Sequence, residues 1–570
     1  MLTGLNRRGM TDKIQRWVAA HPRWTLTFAT VAALAPFLAK PFNIDDPLFL
    51  WAARQIRAHP LDPYGFNVEW GWTAFPMWKV TENPPLVSYF ISLASMFVGW
   101  GEIGLHLAFL LPAIALILGT HRLAIRFCAR PALVALLTLF APVAMVSSLT
   151  LMCDITMLAF WIWAVIFWTE GIEQGKISQL ALAGILVSCA EMTKYFGACL
   201  LPLLAVQGLA SRRHFKRWAP FLLIPVAVLT LYQHETAALY GVGLLDRAAD
   251  YAGFSRQLFG FSKFQNALVA LSFLGGSLAS AVFLLPLLWR RRDWPVPVAA
   301  MVLMAAIILP DGALWQKYGA LQGAQLASVK IQMIFWAASG ICLLELAVTD
   351  LCFHRNERSV LLFLWVVGTF VFAGLCNWTV NARSILPLCP AVAILVARRL
   401  EARFPGLENP WPARIIGGLL AAYALAWGAT MADFSQASAC RQAAQEICDD
   451  FGHNSGTVWF QGHWGFQLYM TEFGGTPLDF KQSLVKPHDL LVVPSNNTNL
   501  LPPDARKATL LKTYIFTGAQ YLSTLNAKTG AGFYASVFAP LPFAFGLVPP
   551  EIFQVYALEF PAGILTLKPN

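Results

Sequence analysis

Two adjacent carboxylates, Asp45 and Asp46, directly follow the first long apolar run of the chain. Charged side chains near a bilayer are disfavoured unless they have a partner or a task, so an acidic pair at this position is a functional candidate. A carboxylate there could act as a general base that takes the proton from an acceptor hydroxyl. The sequence therefore predicts a reaction centre at Asp45 and Asp46, on the surface of a membrane.

Further ionisable residues fall on the same side of the membrane in the topology derived below. Asp154 and Lys194 are the most informative, because each lies at a junction between two apolar runs and not in a long loop. Cations suited to holding a leaving phosphate are Lys194, Arg54, Lys263 and Arg383. Oxygen and imidazole ligands for a divalent metal ion could come from Glu82, Asp154 and His234.

The elements that position these residues are predicted to be membrane helices. The chain has 570 residues, of which 57% are hydrophobic and only 13% charged, and its mean hydropathy is +0.56. Long uninterrupted apolar runs indicate a polytopic α-helical membrane protein and exclude a β-barrel. The net charge of +10 does not indicate a nucleic-acid partner, because the basic residues cluster in short loops between apolar runs, as the positive-inside rule requires.

Apolar runs of membrane-spanning length predict about thirteen transmembrane helices. They lie near residues 24–40, 103–125, 131–150, 155–171, 177–193, 195–210, 218–236, 266–289, 295–310, 328–348, 358–377, 385–400 and 413–431. A further apolar segment, 84–101, is expected to be an interfacial helix on the outer surface, because counting it as a crossing would move the basic loop at 122–130 outside.

This topology predicts two regions. Residues 1–431 form a transmembrane domain whose outer loop, 41–102, carries juxtamembrane helices, and residues 432–570 form a small α/β domain with strand-like runs at 457–460 and 490–493. The basic N-terminus precedes an uncleaved first helix and is expected in the cytoplasm. The α/β domain is therefore expected on the periplasmic or extracellular side of a plasma membrane, taken to be a bacterial inner membrane.

Several of these segments resemble a known family. Asp45-Asp46-x-x-Phe49-x-x-Ala52-Ala53-Arg54 and Thr81-Glu82-Asn83-Pro84-Pro85-Leu86 are similar to outer-loop segments of the protein O-mannosyltransferase and lipid A aminoarabinose transferase group, which is glycosyltransferase family 39-like. Cys153-Asp154, Thr193-Lys194 and Ala382-Arg383-Ser384-Ile385-Leu386-Pro387 match in the same order. The resemblance implies a GT-C fold and transfer of a sugar from a polyprenyl-phosphate-linked donor, with inversion at the anomeric carbon.

The resemblance also implies roles for individual residues. Asp45 takes the place of the base, with Asp46 as its catalytic neighbour, and Glu82 and His234 take the place of metal ligands for an ion of undetermined identity. Asn83 stands where the family usually carries lysine, so more of the charge on the leaving phosphate would fall to Lys79, Lys194 or the metal. The residues assigned to the donor phosphate are Arg54, Lys79, Asn83, Asp154, Lys194, Lys263 and Arg383.

Two other functional classes stay open at this stage. A transporter or lipid flippase also places charges in helix cavities, although its sites favour the bilayer midplane, whereas the charged set here gathers at one face. A non-catalytic scaffold would retain the GT-C fold without activity. For an enzyme, the sequence leaves open which hexose or pentose is moved, and whether the acceptor hydroxyl or phosphate belongs to a lipid, a glycan or a protein.

Overall fold

The computed structural model describes residues 20–211, 214–404, 412–453, 456–501, 503, 508–559 and 563–564. The basic residues on which the predicted cytoplasmic N-terminus rests, Arg7, Arg8, Lys13 and Arg16, lie outside this described part, as do Arg212 and Arg213 of a predicted inner loop. The described part is mainly helical, and its strands lie in the outer loop and in the C-terminal region.

Six described helices are long and apolar enough to cross a membrane: Glu102–Ala124, Asp154–Gln174, Phe215–Tyr240, Gly323–His354, Glu357–Cys376 and Ala413–Phe451. Asp154–Gln174 is the most enclosed, because 83% of its apolar window is buried inside the protein, against 11% for Phe215–Tyr240. The first helix therefore lies at the centre of the bundle and the second at its periphery. The predicted class, a polytopic helical membrane protein, is confirmed.

The predicted count of about thirteen crossings is not confirmed. Three further apolar helices are shorter, with 10–17 residues: Leu86–Val98, Ile177–Thr193 and Tyr195–Ala210. Two predicted spans are divided, 131–150 into Pro131–Leu139 and Pro142–Ser147, and 266–289 into Lys263–Ser277, Ala279–Val282 and Leu285–Leu288. A proline stands in the first turn of Pro142–Ser147 and of Leu285–Leu288, where its missing N–H and fixed φ favour a new helix start.

The remaining helices complete the membrane-facing part. They are Pro22–Leu34, Leu244–Phe259, Pro295–Ile308, Ala313–Gln316, Ala382–Ile385 and Cys389–Arg403. Arg122 and Arg126, which follow one another at the end of a spanning helix, form ion pairs with Glu170 and Glu173 at the end of another. These contacts explain why the predicted inner loop at Glu170 and Glu173 lacks a basic excess.

The outer loop contains two helices, Asp46–Ala58 and Leu86–Val98, separated by a short hairpin and the turn of helix Met77–Val80. The hairpin pairs strands Asn67–Glu69 and Ala74–Pro76 in antiparallel register. Leu86–Val98 exposes Leu93, Met96 and Phe97 along one side, which is consistent with the interfacial position predicted for this segment.

The C-terminal region begins within a long helix, since Ala413–Phe451 runs without a break across the predicted boundary at 431/432. A five-stranded sheet follows, in the spatial order Thr476–Pro477, Val458–Phe460, Leu490–Pro494, Glu551–Leu558 and Ala508–Phe516. The first three strands are parallel and the last two pair antiparallel. Two of these strands coincide with the runs predicted at 457–460 and 490–493, and helix Trp464–Glu472 gives the region its α/β character.

The segment between the last two long strands packs onto the helical bundle. The amide of Ala382 donates to the carbonyl of Phe533 over 2.9 Å, and the amide of Ser536 donates to the carbonyl of Val380 over 2.7 Å. Tyr318 donates its hydroxyl to the carbonyl of Ser536 over 2.9 Å. The C-terminal region therefore reaches back to the short helix that carries Arg383.

Candidate active site

The acidic pair lies on a turn that is held in an uncommon conformation. Ile44 has a φ of 54°, which a β-branched residue adopts only where its surroundings compensate a cost of about 1–3 kcal/mol. Its side chain is buried, and the amide of Asn43 donates to Asp46 Oδ2 over 3.1 Å. The turn leads directly into helix Asp46–Ala58, with Asp45 at the N-cap position.

The C-terminal region clamps this turn from the outside. A Cβ on Gly465 would lie 2.1 Å from the carbonyl oxygen of Phe42, so only glycine permits the contact. The amide of Phe42 donates to the hydroxyl of Tyr469 over 2.8 Å. Helix Trp464–Glu472 and the acidic turn are thus packed backbone against backbone.

Asp46 points into the protein, where its carboxylate is fully buried. It accepts hydrogen bonds from the amide of Leu151, over 2.8 Å, and from the amide of Asn43. Burial raises the pKa of Asp46 from 3.8 to about 7, although the nearby Lys40 ammonium and the two amides act in the opposite direction. A carboxylate enclosed in this way ties segments together and is not exposed to a substrate.

A buried cluster, formed by Lys40, Asp46, Asp433 and Tyr534, continues from this carboxylate. Lys40 Nζ lies 2.5 Å from Asp433 Oδ2, and both side chains are only 1% exposed. Lys40 also donates to the carbonyl of Leu149 over 3.1 Å, and the Tyr534 hydroxyl donates to Asp433 Oδ1 over 2.8 Å. The cluster joins the end of the first helical segment to helix Ala413–Phe451 and to the C-terminal segment.

An open cluster, formed by Asp45, Arg383, Asp154 and Lys194, lies on the other side of the turn. Arg383 Nη2 is 3.3 Å from Asp45 Oδ2 and Nη1 is 3.8 Å from Asp154 Oδ2. Lys194 Nζ donates to Asp154 Oδ1 over 2.7 Å. Asp45 is 31% exposed, whereas Asp154 is fully buried, so the chain of charges runs from the protein interior to an accessible carboxylate.

The open cluster retains hydrogen-bonding capacity. Among the described residues, Arg383 Nε and Asp154 Oδ2 are buried without a hydrogen-bond partner, and Arg383 Nη1 faces the sulfur of Met152 at 2.6 Å. The guanidinium also lies over the Tyr534 ring, 5.5 Å from its centroid. Because unpaired buried donors cost free energy, a cation held with a spare N–H is suited to an anionic ligand.

Glu82 and Asn83 adjoin the open cluster. Asn83 Oδ1 lies 3.5 Å from Cys153 Sγ, next to Asp154, and its carbonyl accepts from the Tyr64 hydroxyl over 2.8 Å. Both carboxylate oxygens of Glu82 are buried without a hydrogen-bond partner in the described chain. Burial raises the pKa of Glu82 to about 8, with Arg247 acting in the opposite direction.

Four of the residues selected from the sequence lie apart from both clusters. Arg54 pairs with Glu472 over 2.8 Å, and Lys79 Nζ lies 5.0 Å from the centre of the Trp78 ring. Lys263, at the start of helix Lys263–Ser277, and His234, on helix Leu223–Tyr240, are both exposed. The structure therefore brings Asp45, Asp154, Lys194 and Arg383 into one cluster, with Asn83 and Glu82 beside it.

The ligand set for a metal was considered separately. Within the described residues there is no group of three or more His, Cys, Asp or Glu side chains that could hold a metal ion. Glu82 offers an unsatisfied carboxylate, but a single carboxylate does not make a site of four to six ligands. The residues present do not fit a protein-built metal site, and the metal roles of Glu82 and His234 stay predictions.

Three residues of the buried cluster were not selected from the sequence. Lys40 was assigned to the first apolar run, Asp433 to the start of the C-terminal region, and Tyr534 to a loop-rich end in which no chemistry was recognised. A signal was available for the first two, because each is an isolated charge at the edge of an apolar helix. Nothing in the sequence around Tyr534 indicates its contact with Arg383.

Comparison with known proteins bears on this arrangement. Residues 82–234 match the family described as dolichyl-phosphate-mannose-protein mannosyltransferase. The matched segment starts at Glu82, ends at His234, and contains Asp154 and Lys194. A search of curated protein sequences found no match.

Solved structures of low sequence identity resemble the chain. An oligosaccharyltransferase from Archaeoglobus fulgidus, tethered to an acceptor peptide, is 12% identical with a TM-score of 0.47 over 81% of this chain and 64% of its own. ArnT from Cupriavidus metallidurans, bound to undecaprenyl phosphate, is 13% identical with a TM-score of 0.39 over 85% and 93%. The arabinofuranosyltransferase AftD from Mycobacteria is 13% identical with a TM-score of 0.40 over 96% and 40%.

The chain thus spans a little under two thirds of the archaeal oligosaccharyltransferase that it resembles. The family match covers the second outer-loop motif, Glu82-Asn83-Pro84-Pro85, and the helices that carry Asp154 and Lys194. The predicted resemblance to the GT-C membrane glycosyltransferases is confirmed over residues 82–234.

Proposed function

We propose that the protein is a membrane glycosyltransferase that moves a sugar from a polyprenyl-phosphate-linked donor to a hydroxyl or phosphate group of an acceptor, with inversion. The observation that carries this proposal is the pairing of an accessible carboxylate, Asp45, with Arg383 at 3.3 Å, whose Nε has no partner in the described chain. A base and an oxyanion-binding cation therefore stand side by side. Sugar transfer from a phosphate donor needs both.

In the proposed step, the acceptor O–H gives its proton to the Asp45 carboxylate as its oxygen forms a bond to the anomeric carbon. The bond between that carbon and the donor phosphate oxygen breaks, and the electron pair leaves with the polyprenyl phosphate. Attack on the face opposite the leaving group inverts the anomeric carbon. The proton on Asp45 is then released to water, which its partial exposure permits.

The negative charge that develops on the leaving phosphate falls to Arg383 and Lys194. Arg383 provides the unpaired Nε–H, and the Lys194 ammonium has donors beyond the one that Asp154 accepts. Asp154 lies between the two cations and holds them in place. Asn83 contributes an amide at the same edge, which can donate a hydrogen bond but no charge.

Asp46 is assigned a positioning role in this proposal. Its two oxygens accept backbone amides on both sides of the turn, so it fixes the direction in which Asp45 points. The step uses no metal ion, since the described residues do not assemble a ligand set for one. The proposed location is a bacterial inner membrane, with the acidic turn and the C-terminal region on the periplasmic side.

The test compares envelope glycolipids and glycans by mass spectrometry in cells that lack the gene and are complemented with wild type, Asp45→Asn or Asp449→Asn. Asp449 is exposed near the end of helix Ala413–Phe451 and serves as the carboxylate control. Loss of a general base lowers the rate by about 10²–10⁴, so a sugar modification present with wild type and Asp449→Asn should be missing with Asp45→Asn.

Transfer at the wild-type rate in the Asp45→Asn variant would overturn the assignment of this turn as a reaction centre. A lipid that accumulates on the inner side without loss of transfer chemistry would instead favour the transporter or flippase class. Equal envelopes with and without the gene would favour a non-catalytic scaffold.

A further inference from the structure

A second cavity opens near the far end of the helix that begins at the acidic turn. Its volume is about 410 Å³, which is within the range of about 300–1,000 Å³ typical of small-molecule sites. The wall is built by helix Asp46–Ala58, the outer-loop hairpin and helix Trp464–Glu472. The proposed reaction does not use this cavity.

The three walls are fixed to one another. Asp479 accepts hydrogen bonds from the Thr73 hydroxyl, over 2.8 Å, and from the amide of Ala74, and these contacts attach the hairpin to the C-terminal region. Gln467 donates to the carbonyl of Glu69 over 2.6 Å. The cavity therefore belongs to the folded protein and does not depend on a mobile loop.

The lining combines aromatic faces with hydrogen-bonding groups. Trp51 and Phe66 provide ring surface, while Gln55 and Asn67 provide amides and Glu69 a carboxylate. Flat apolar faces surrounded by a few oriented donors and acceptors suit a ligand whose C–H faces alternate with hydroxyls. A sugar ring has this character.

The charge of the wall narrows the class of sugar. The only cation of the lining, Arg54, is already neutralised by Glu472 at 2.8 Å, whereas Glu69 has no ion pair within the described chain. Burial raises the pKa of Glu69 above its ordinary value, as expected for a carboxylate without a cation. The net negative wall favours neutral or amino sugars and disfavours uronates and phosphorylated sugars.

The position relative to Asp45 is set by the helix they share. Arg54 lies nine residues after Asp45, which corresponds to about 13 Å along the helix axis at 1.5 Å per residue. One sugar ring cannot reach from the Asp45 carboxylate into the cavity. A ligand that fills both must be an oligosaccharide or a headgroup of several sugar units.

We propose that this cavity, lined by Trp51, Gln55, Asn67 and Glu69, is an acceptor subsite that binds a neutral or amino sugar unit of a glycan while another unit presents its hydroxyl to Asp45. The assignment of the unit in the cavity to the acceptor rests on the proposed function. The saccharide-binding property itself does not, because it can be measured without turnover.

The binding test uses full-length protein in lipid nanodiscs and isothermal titration calorimetry with three probes: chitotriose, its deacetylated amino trisaccharide, and trigalacturonate. The first two should bind and the third at least ten-fold more weakly. Trp51→Ala and the milder Gln55→Ala should each weaken binding of chitotriose, and Glu69→Gln should reduce the preference for the amino trisaccharide over trigalacturonate. Trp294→Ala, which removes a 44% exposed tryptophan outside the cavity, should bind chitotriose as wild type does.

The proposal is overturned if none of the three probes binds, if trigalacturonate binds as tightly as chitotriose, or if Gln55→Ala and Trp51→Ala both bind like Trp294→Ala. Gln55 is half-buried at the wall, so its truncation keeps the test valid should the tryptophan variant not fold.

Transfer assays separate this inference from the proposed function. If both hold, Gln55→Ala raises KM for the acceptor with little change in kcat, while Asp45→Asn lowers kcat and leaves chitotriose binding intact. Loss of transfer in Asp45→Asn with no probe bound would overturn only the subsite. Probe binding sensitive to Trp51, with transfer unaffected by Asp45→Asn, would leave the saccharide site standing and overturn the proposed reaction centre.

Discussion

Asp45 and Asp46 follow one another in the chain, yet they enter two charge clusters of opposite character. In the buried cluster, Asp46 accepts two backbone amides, and Lys40 lies against Asp433 with both side chains 1% exposed. In the open cluster, Asp45 is 31% exposed and Arg383 keeps a donor without a partner in the described chain. The first cluster satisfies its charges internally, and the second leaves capacity for a ligand.

Tyr534 shows how the two clusters are connected. Its hydroxyl donates to Asp433 in the buried cluster, and its ring lies beneath Arg383 of the open one. The C-terminal region thus supplies one surface to both. Because buried, satisfied networks rigidify a fold, the buried cluster is suited to holding the Asp45 carboxylate in place, and the two clusters should respond differently to substitution.

The largest expected effect on stability is that of Lys40→Met. It leaves Asp433 and Asp46 buried without their cation, which costs about 3–5 kcal/mol when one partner of a buried pair is removed. The midpoint of thermal unfolding, followed by tryptophan fluorescence in detergent, should fall strongly.

The matched control is Arg54→Met, which breaks a pair whose side chains are 41% and 38% exposed and should cost less than about 1 kcal/mol. If Lys40→Met lowers the midpoint no more than Arg54→Met does, the buried cluster does not have the structural role described here.

Arg383→Lys probes the open cluster and should act on turnover. A lysine keeps the charge, but it cannot reach Asp45 and Asp154 together while lying over the Tyr534 ring. We expect kcat/KM for sugar transfer to fall about 10- to 100-fold, or about 1.4–2.8 kcal/mol, with a small change in the unfolding midpoint.

Arg358→Lys is the control for this substitution, because Arg358 is 49% exposed and lies near Glu173 at the other end of the bundle. A large fall in the unfolding midpoint of Arg383→Lys, with kcat/KM per folded molecule unchanged, would place Arg383 with the structural residues.

The sequence predicts the helical membrane class and the side of the membrane on which charges gather, because hydropathy and basic loops report depth and orientation. Asp45, Asp154, Lys194 and Arg383 were selected on that basis and lie together in the structure. Arg54, Lys79, Lys263 and His234 satisfied the same criterion but lie elsewhere. A shared depth does not determine which way a helix faces around the bundle, and that direction depends on packing.

Long-range pairing set the other limit. Lys40, Asp433 and Tyr534 meet across the whole length of the chain, and no local pattern encodes such a contact. The division of predicted spans at Pro142 and Pro286 has the same origin, because hydropathy averages over a proline that starts a new helix. The cavity at Trp51 and Glu69 was also out of reach, since its walls come from three separate segments.

His463 extends the comparison to a second buried polar group. Its Nδ1 lies 3.1 Å from Gln467 Oε1 and its Nε2 lies 2.9 Å from Asn499 Nδ2, so both ring nitrogens are satisfied in the neutral form. Burial lowers the pKa of His463 from 6.5 to about 4. Between these two values the unfolded chain binds a proton that the folded protein does not, so the free energy of unfolding decreases as pH falls from about 6.5 to about 4.

At pH 5 this dependence amounts to about 2 kcal/mol, because the pH is then about 1.5 units below the ordinary pKa and each unit corresponds to about 1.4 kcal/mol. His463→Gln should remove that part of the loss in the unfolding midpoint between pH 7 and pH 5, whereas His453→Gln, at an exposed turn, should leave it unchanged. Equal pH dependence in the two variants would mean that His463 is accessible to protons in the folded state, and therefore that it resembles the open cluster and not the buried one.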